Sequence, residues 1–170
     1  MTLTARLVTR FTALEDELNA LDAVAGDGDH GSTMLRGLRA AAAADDPVTA
    51  FRTAAGGASG SLFAQVLAAL LAHHDGTPLP DALTRAAARI AAVGQAKPGD
   101  RTMLDALIPA ALAPDAASAA AAARTGAEGT RTMPARRGRA RPVEGAGLGH
   151  VDAGARSVAE MLAVLAGEAQ

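Results

Sequence analysis

The stretch LDAVAGDGDHGSTM, residues 21–34, holds three aspartates and three glycines within fourteen residues. It is too polar for a core and too rich in glycine to continue a helix, so it reads as the link between two helices. Asp22, Asp27 and Asp29 would repel one another across so short a span unless a cation or a set of donors offset their charge. Asp22 falls on the last turn of the preceding helical pattern, and Asp27 and Asp29 alternate along the link. All three therefore converge on one point between two helix ends. Hard cations such as Mg²⁺ take oxygen ligands of this kind and keep other positions for phosphate and water. A calcium-binding EF-hand loop is excluded, because counting from Asp27 the sixth position is Ser32 instead of Gly and the twelfth is Leu38 instead of Glu. A plainer reading, in which Asp27 and Asp29 are turn and capping residues, stays open on spacing alone.

Working outward, the pattern is helical nearly everywhere, because alanine dominates and β-branched apolar residues are few. Leu3, Leu7, Phe11, Leu14, Leu18 and Leu21 recur at steps of three and four, one stripe of a helix that stops near Gly26. A second helix starts at Ser32 or Thr33 and breaks at ADDP, residues 44–47, and a short one over residues 48–55 runs into GGASGS. The strongest helix follows, with Leu62, Phe63, Val66, Leu67, Leu70 and Leu71 as its apolar face. Others are expected at residues 81–93, at 102–113 with a bend around Pro109, and at 155–167. The alanine run 116–124 is helix-prone but has almost no large side chain to bury. Residues 135–154, rich in Gly and Arg and without apolar period, read as a long loop, either functional or disordered, within a single domain spanning residues 1–170.

The absence of cysteine removes disulfides, thiol nucleophiles and thiolate metal sites, and suits a reducing cytoplasm. Charges stand in MTLTARLVTRF where a signal peptide would be apolar, and no run is long enough to span a bilayer, so a soluble cytoplasmic protein is expected. With 16 basic and 18 acidic residues and three Phe as its whole aromatic content, the chain lacks both the charge and the stacking surface of a nucleic-acid binder.

Two further features suit phosphate. GGASGS, residues 56–61, sits at the start of a strong helix, where free backbone N–H groups seat an anion; no Lys follows, so it is not a Walker A loop, and close helix packing is an equal reading. The arginines at 131, 136, 137, 139 and 141 form a basic run, read either as a solvated surface or as a lid that brings Arg to a transferring phosphoryl group. His30 lies in the acidic loop and His150 in the Arg-rich one.

LDAVAGDGDHGSTM, GGASGSLF, GQAKPGDRTMLD, TMPARRGRA and GHVDAGARSV occur in this order, and in this order and character the chain resembles the nucleotide-binding L subunits of dihydroxyacetone kinases. The resemblance runs from about Leu18 to the final helix. It implies an all-α fold, an antiparallel barrel of up to eight helices with a nucleotide, ADP or ATP, at one end. It implies two Mg²⁺ ions bridged by Asp22, Asp27 and Asp29. His30, Gly31, Ser32 and Thr33, with Ala58 and Ser59, are implied at the phosphates, Gly94 and Met103 at the base and ribose. Arg139, as the catalytic residue, and Asp152, Ala153 and Gly154 are implied from the lid and its return. The implied reaction is phosphoryl transfer to dihydroxyacetone held on a partner K subunit, with a phosphocarrier as one possible donor, and with neither nucleic acid nor membrane as partner. Kinases for another ketose or a fatty acid, and a regulatory nucleotide-binding module without turnover, are the alternatives. Ala153 replaces the proline usual between Asp and Gly in this motif. The segments 31–56 and 109–132 are shorter than the family pattern by about three helical turns each, which predicts short or missing helices and an open wall.

Overall fold

A computed structural model describes residues 1–136 and 147–168 of the chain. The described residues form eight α-helices and no strand: α1 (Leu3–Ala23), α2 (His30–Ala42), α3 (Pro47–Ala55), α4 (Gly57–His74), α5 (Leu79–Gly94), α6 (Leu104–Ala111), α7 (Ala116–Gly129) and α8 (Ala153–Ala166). A 3-10 turn, Thr130–Thr132, follows α7. No helix among the described residues is long and apolar enough to cross a membrane.

Local chemistry fixes the helix ends. The Thr2 hydroxyl accepts from the Ala5 N–H to open α1, and the carboxylates of Asp46, Asp115 and Asp152 do the same for α3, α7 and α8. The expected stripe of α1 is buried as Leu3, Leu7, Phe11, Leu14 and Leu18. Each such side chain contributes about 1.5–3 kcal/mol when fully withdrawn from water. Every helix packs against its successor, and α8 packs back on α1, so the eight close into a ring around a core that includes Phe11, Met34, Phe51, Leu67, Leu83 and Ile90. A buried Glu160 reinforces the α1–α8 closure, with Arg10 Nε at 2.7 Å and Arg156 Nε at 2.9 Å, while Arg156 also reaches Glu17 at 3.3 Å.

The shortened segments leave no gap in this ring. α3, of 9 residues, and α6, of 8 residues, are short, yet both bridge their neighbours. Pro109 lies inside α6, where it cannot donate to the carbonyl of Asp105 four residues back. Gly126 of α7 lies against that same carbonyl: a Cβ at this position would stand only 2.1 Å from the Asp105 oxygen. The alanine run thus belongs to a helix that buries Ala119, Ala120, Ala123 and Ala127 by close approach, which needs no large side chain.

Candidate functional site

The link at residues 24–29 folds around Asp22, whose Oδ2 accepts from the backbone N–H groups of Gly28 at 3.0 Å and Asp29 at 3.1 Å. Ligand oxygens of Asp22, Asp27 and Asp29 all lie within 4.8 Å of one another. Opposite ligands of a Mg²⁺ ion at about 2.1 Å stand about 4.2 Å apart. An all-carboxylate set of this spacing therefore fits a hard divalent cation with small side-chain adjustments.

Beside this cluster opens a cavity of about 560 Å³. It lies where α1, α3 and α5 finish and where α2, α4, α6 and α8 begin, so four helix amino ends face one space. Each carries roughly half a positive charge from its helix dipole, and together they favour an anion. The glycine cluster forms the first turn of α4 itself instead of preceding it: Gly56 and Gly57 have φ of 69° and 59°, and Ala58 and Ser59 line the cavity. Asp29, His30 and Thr33 line it from α2, Gly94 from α5, Met103 from before α6, and Asp152, Ala153 and Gly154 from the start of α8.

Gly31 and Ser32 are placed differently. They sit on the side of α2 that faces α1: a Cβ on Gly31 would meet the Glu15 carbonyl at 2.2 Å, and the Ser32 hydroxyl donates to Glu15 Oε1 at 2.8 Å. The Ser32 N–H is taken by Asn19 Oδ1 at 3.1 Å. A helix shows only part of its circumference to a cavity, so four consecutive residues cannot all point their side chains there. Arg137, Arg139 and Arg141 lie outside the described residues. Arg131 pairs with Glu128 at 2.7 Å and donates to the Gly149 carbonyl at 3.1 Å. His150 is exposed and its ring nitrogen Nδ1 lies 3.3 Å from the Leu148 carbonyl.

Two charge states are unusual. Burial lowers the pKa of His30 to about 4 against the opposing pull of Asp22, so at neutral pH its ring is uncharged; Nε2 hydrogen-bonds the Ser157 hydroxyl at 2.8 Å and the ring packs tilted on Phe63. Burial raises Asp152 to about 6, although the Ala155 N–H and Arg101 both favour its charged form.

Sequence reasoning missed two cations. Arg36 lines the cavity and donates through Nε to the Ala54 carbonyl and through Nη2 to that of Ala55, tying α2 to the turn before α4. Its position one turn after Thr33 was the available signal. Arg101 lines the opposite side from within the quoted motif GQAKPGDRTMLD.

The model of the DAK2 domain matches residues 24–167. The chain is 38% identical over 182 residues to the L-erythrulose 1-kinase of Mycolicibacterium smegmatis, an alignment covering 89% of this chain and 32% of that protein. It is 32% identical to the ADP-binding subunit DhaL of the PEP-dependent dihydroxyacetone kinase of Escherichia coli, over 92% of this chain and 89% of that subunit. Among solved structures it is similar to the dihydroxyacetone kinase from C. freundii in complex with AMP-PNP and Mg²⁺, with a TM-score of 0.73 and 30% identity over 97% of this chain and 33% of that one. The chain thus spans about a third of the length of the erythrulose kinase and nearly all of the bacterial subunit. A family model covering most of the chain, a relative matched end to end and a shared helical ring agree: the chain belongs to the DAK2 domain family, the family of the DhaL-type subunits.

Proposed function

We propose that this chain is the nucleotide-binding L subunit of a dihydroxyacetone kinase, transferring a phosphoryl group from a Mg-nucleotide to dihydroxyacetone held on a partner K subunit. The observation that carries this reading is the meeting of Asp22, Asp27 and Asp29 with four helix amino ends at one cavity. Its volume is within the range of small-molecule and cofactor sites. The match to a bacterial subunit covered over 89% of its length, and named for ADP binding, supports it.

In this reading Asp22, Asp27 and Asp29 hold Mg²⁺, two ions bridged between them, and the metal supplies neutralisation of phosphate charge. The amino end of α2, with Thr33 and the backbone of His30 and Gly31, and the amino end of α4, with Ala58 and Ser59, bind the phosphates, while Ser32 stays engaged with α1. His30, neutral, is positioned through Ser157 and offers a dipole there without adding charge. Gly94, Met103 and residues 152–154 bound the base and ribose. Arg139 pairs with the charge that develops on the transferring group. None of these steps requires a nucleophile from this chain. A phosphocarrier that rephosphorylates bound ADP is one donor consistent with this scheme, and free ATP is the other. A second reading keeps the site and changes the acceptor to another ketose, favoured by the greater identity to an L-erythrulose kinase.

A ligand binding only the folded state adds roughly 2.7 kcal/mol at a hundredfold excess over Kd. For a domain of this size that is a rise of about 5–10 °C in Tm. Mg-ADP or Mg-ATP is expected to give it, nucleotide without divalent metal is not, and Asp27→Asn is expected to abolish it. Unmoved melting curves with both Mg-nucleotides would remove the kinase reading.

A further inference from the structure

Arg101 stands in the left-handed region, with φ of 59°, a conformation costing a non-glycine residue on the order of 1 kcal/mol or more. Its surroundings explain why it is held there. The side chain is 4% exposed, and Nη2 donates to the Gly147 carbonyl at 2.9 Å and to the His150 carbonyl at 3.0 Å. Nη1 lies 3.9 Å from Asp152 Oδ1. Gly147 rests its Cα on the guanidinium, and a Cβ there would stand 2.2 Å from Cζ. Nε is buried without a hydrogen-bond partner among the described residues, so the group is placed for its two Nη contacts at some cost. The neighbouring Asp100 carbonyl accepts from the Arg136 N–H at 3.2 Å. The chain segments on both sides of residues 137–146 are thus fastened to one dipeptide of the α5–α6 loop.

We propose that Arg101 is a positioning residue of the nucleotide site: its guanidinium clasps residues 147–150 and the start of α8, holding residues 152–154 against Met103, where a Cβ on Gly154 would stand 3.6 Å from Met103 Cβ, so that the two segments line the cavity side by side. This rests on the nucleotide-site reading above and goes beyond it by naming what holds the two segments of the base and ribose end together. Nη2 alone serves both carbonyls while Nη1 faces Asp152, so a lysine ammonium, a single point of charge on a flexible stem, could replace the carbonyl contacts but not reach Asp152 at the same time.

The test compares the Kd of Mg-ADP by calorimetry with Tm for the whole chain, in Arg101→Met, Arg101→Lys, Gly147→Ala and the double variant R101M/G147A. Clasping predicts a loss of tenfold or more in Mg-ADP affinity for Arg101→Met, a smaller loss for Arg101→Lys, and a loss for Gly147→Ala, which keeps the arginine but displaces it. The double variant should bind no more weakly than Arg101→Met alone. A lowered Tm with unchanged Kd would make Arg101 purely structural and overturn the inference, as would losses that multiply in the double variant. Should Arg101→Met fail to fold, Gly147→Ala and Arg101→Lys decide between the same outcomes. If the unsubstituted chain binds no Mg-ADP, the site reading itself falls and takes the clasp with it.

Discussion

Asp152 shows how a single side chain that lines the cavity can stand against the interest of the fold. Its carboxylate opens α8 by accepting the Ala155 N–H at 2.8 Å, yet it is only one-fifth exposed and its pKa is raised to about 6. A raised acid binds its proton more tightly in the folded state, so stability is greatest below the unfolded value near 3.8, falls as the pH rises towards about 6, and stays low above it. Asparagine caps a helix as well as aspartate does and carries no charge. Asp152→Asn should therefore stabilise the ligand-free protein at pH 7 by up to about 3 kcal/mol, the worth of two pKa units, and the gain should shrink to nothing near pH 4. Urea midpoints at pH 4, 5 and 7 check this; a pH-independent difference would mean that the charge is not the cause. The proposed ligand-binding role of Asp152 predicts that the stabilised variant binds nucleotide less well, a trade common at functional sites.

At the scale of elements, the α6–α7 joint is the place where composition misleads. Gly126 lies against the Asp105 carbonyl that Pro109 leaves without its helical donor, and Gly126→Ala would put a methyl 2.1 Å from that oxygen. It should destabilise by about 1–3 kcal/mol. Gly129→Ala, whose methyl would meet nothing closer than Met133 Cε at 3.9 Å, should be neutral or stabilising by up to about 1 kcal/mol. Thermal midpoints of the two variants separate close packing from simple helix propensity. The same joint explains what was legible in the sequence. The stripe of α1, the break at ADDP and the apolar face of α4 follow from period and punctuation, and each lies within a few residues of its expected place. α7 was hard to weigh because its partner surface is backbone, and no side-chain pattern announces that. The acidic cluster was legible because charge repulsion is a local argument. Arg36 and Arg101 were not, because their meaning depends on carbonyls, of Ala54 and Ala55 and of Gly147 and His150, that come near only in the folded chain. Ser32 misled for a related reason: a motif gives neighbours along the chain, whereas a helix of 3.6 residues per turn sends His30 and Thr33 to the cavity and Gly31 and Ser32 to α1.

For the molecule as a whole, the chemistry gathered at one cavity is the decisive observation. The erythrulose kinase is about three times as long as its aligned part, whereas the bacterial ADP-binding subunit is matched nearly end to end. The features gathered at the cavity, namely carboxylates, helix amino ends and an apolar wall that includes Leu62, Phe63 and Ile90, all suit metal, phosphate and a base. A small polar ketone needs several placed hydrogen bonds to be distinguished from water, and binding energy at the acceptor is required to hold it in line with the donor. On the two-subunit reading, that part belongs to the partner. The chain alone should therefore bind Mg-ADP and yet phosphorylate neither dihydroxyacetone nor L-erythrulose, and addition of a dihydroxyacetone-binding K subunit should produce turnover. The preferred ketose should then follow the K subunit supplied, since on this reading the acceptor pocket belongs to the partner. Coupled assays with both ketoses and two K subunits of different preference check this, with ATP or a phosphocarrier system as donor in parallel. Sustained turnover with ATP alone marks free nucleotide exchange, and turnover only with the phosphocarrier marks ADP retained and recharged in place. Robust phosphorylation of either ketose by the isolated chain would overturn the two-subunit reading, and Mg-ADP binding without activity beside any K subunit would leave a regulatory nucleotide-binding module.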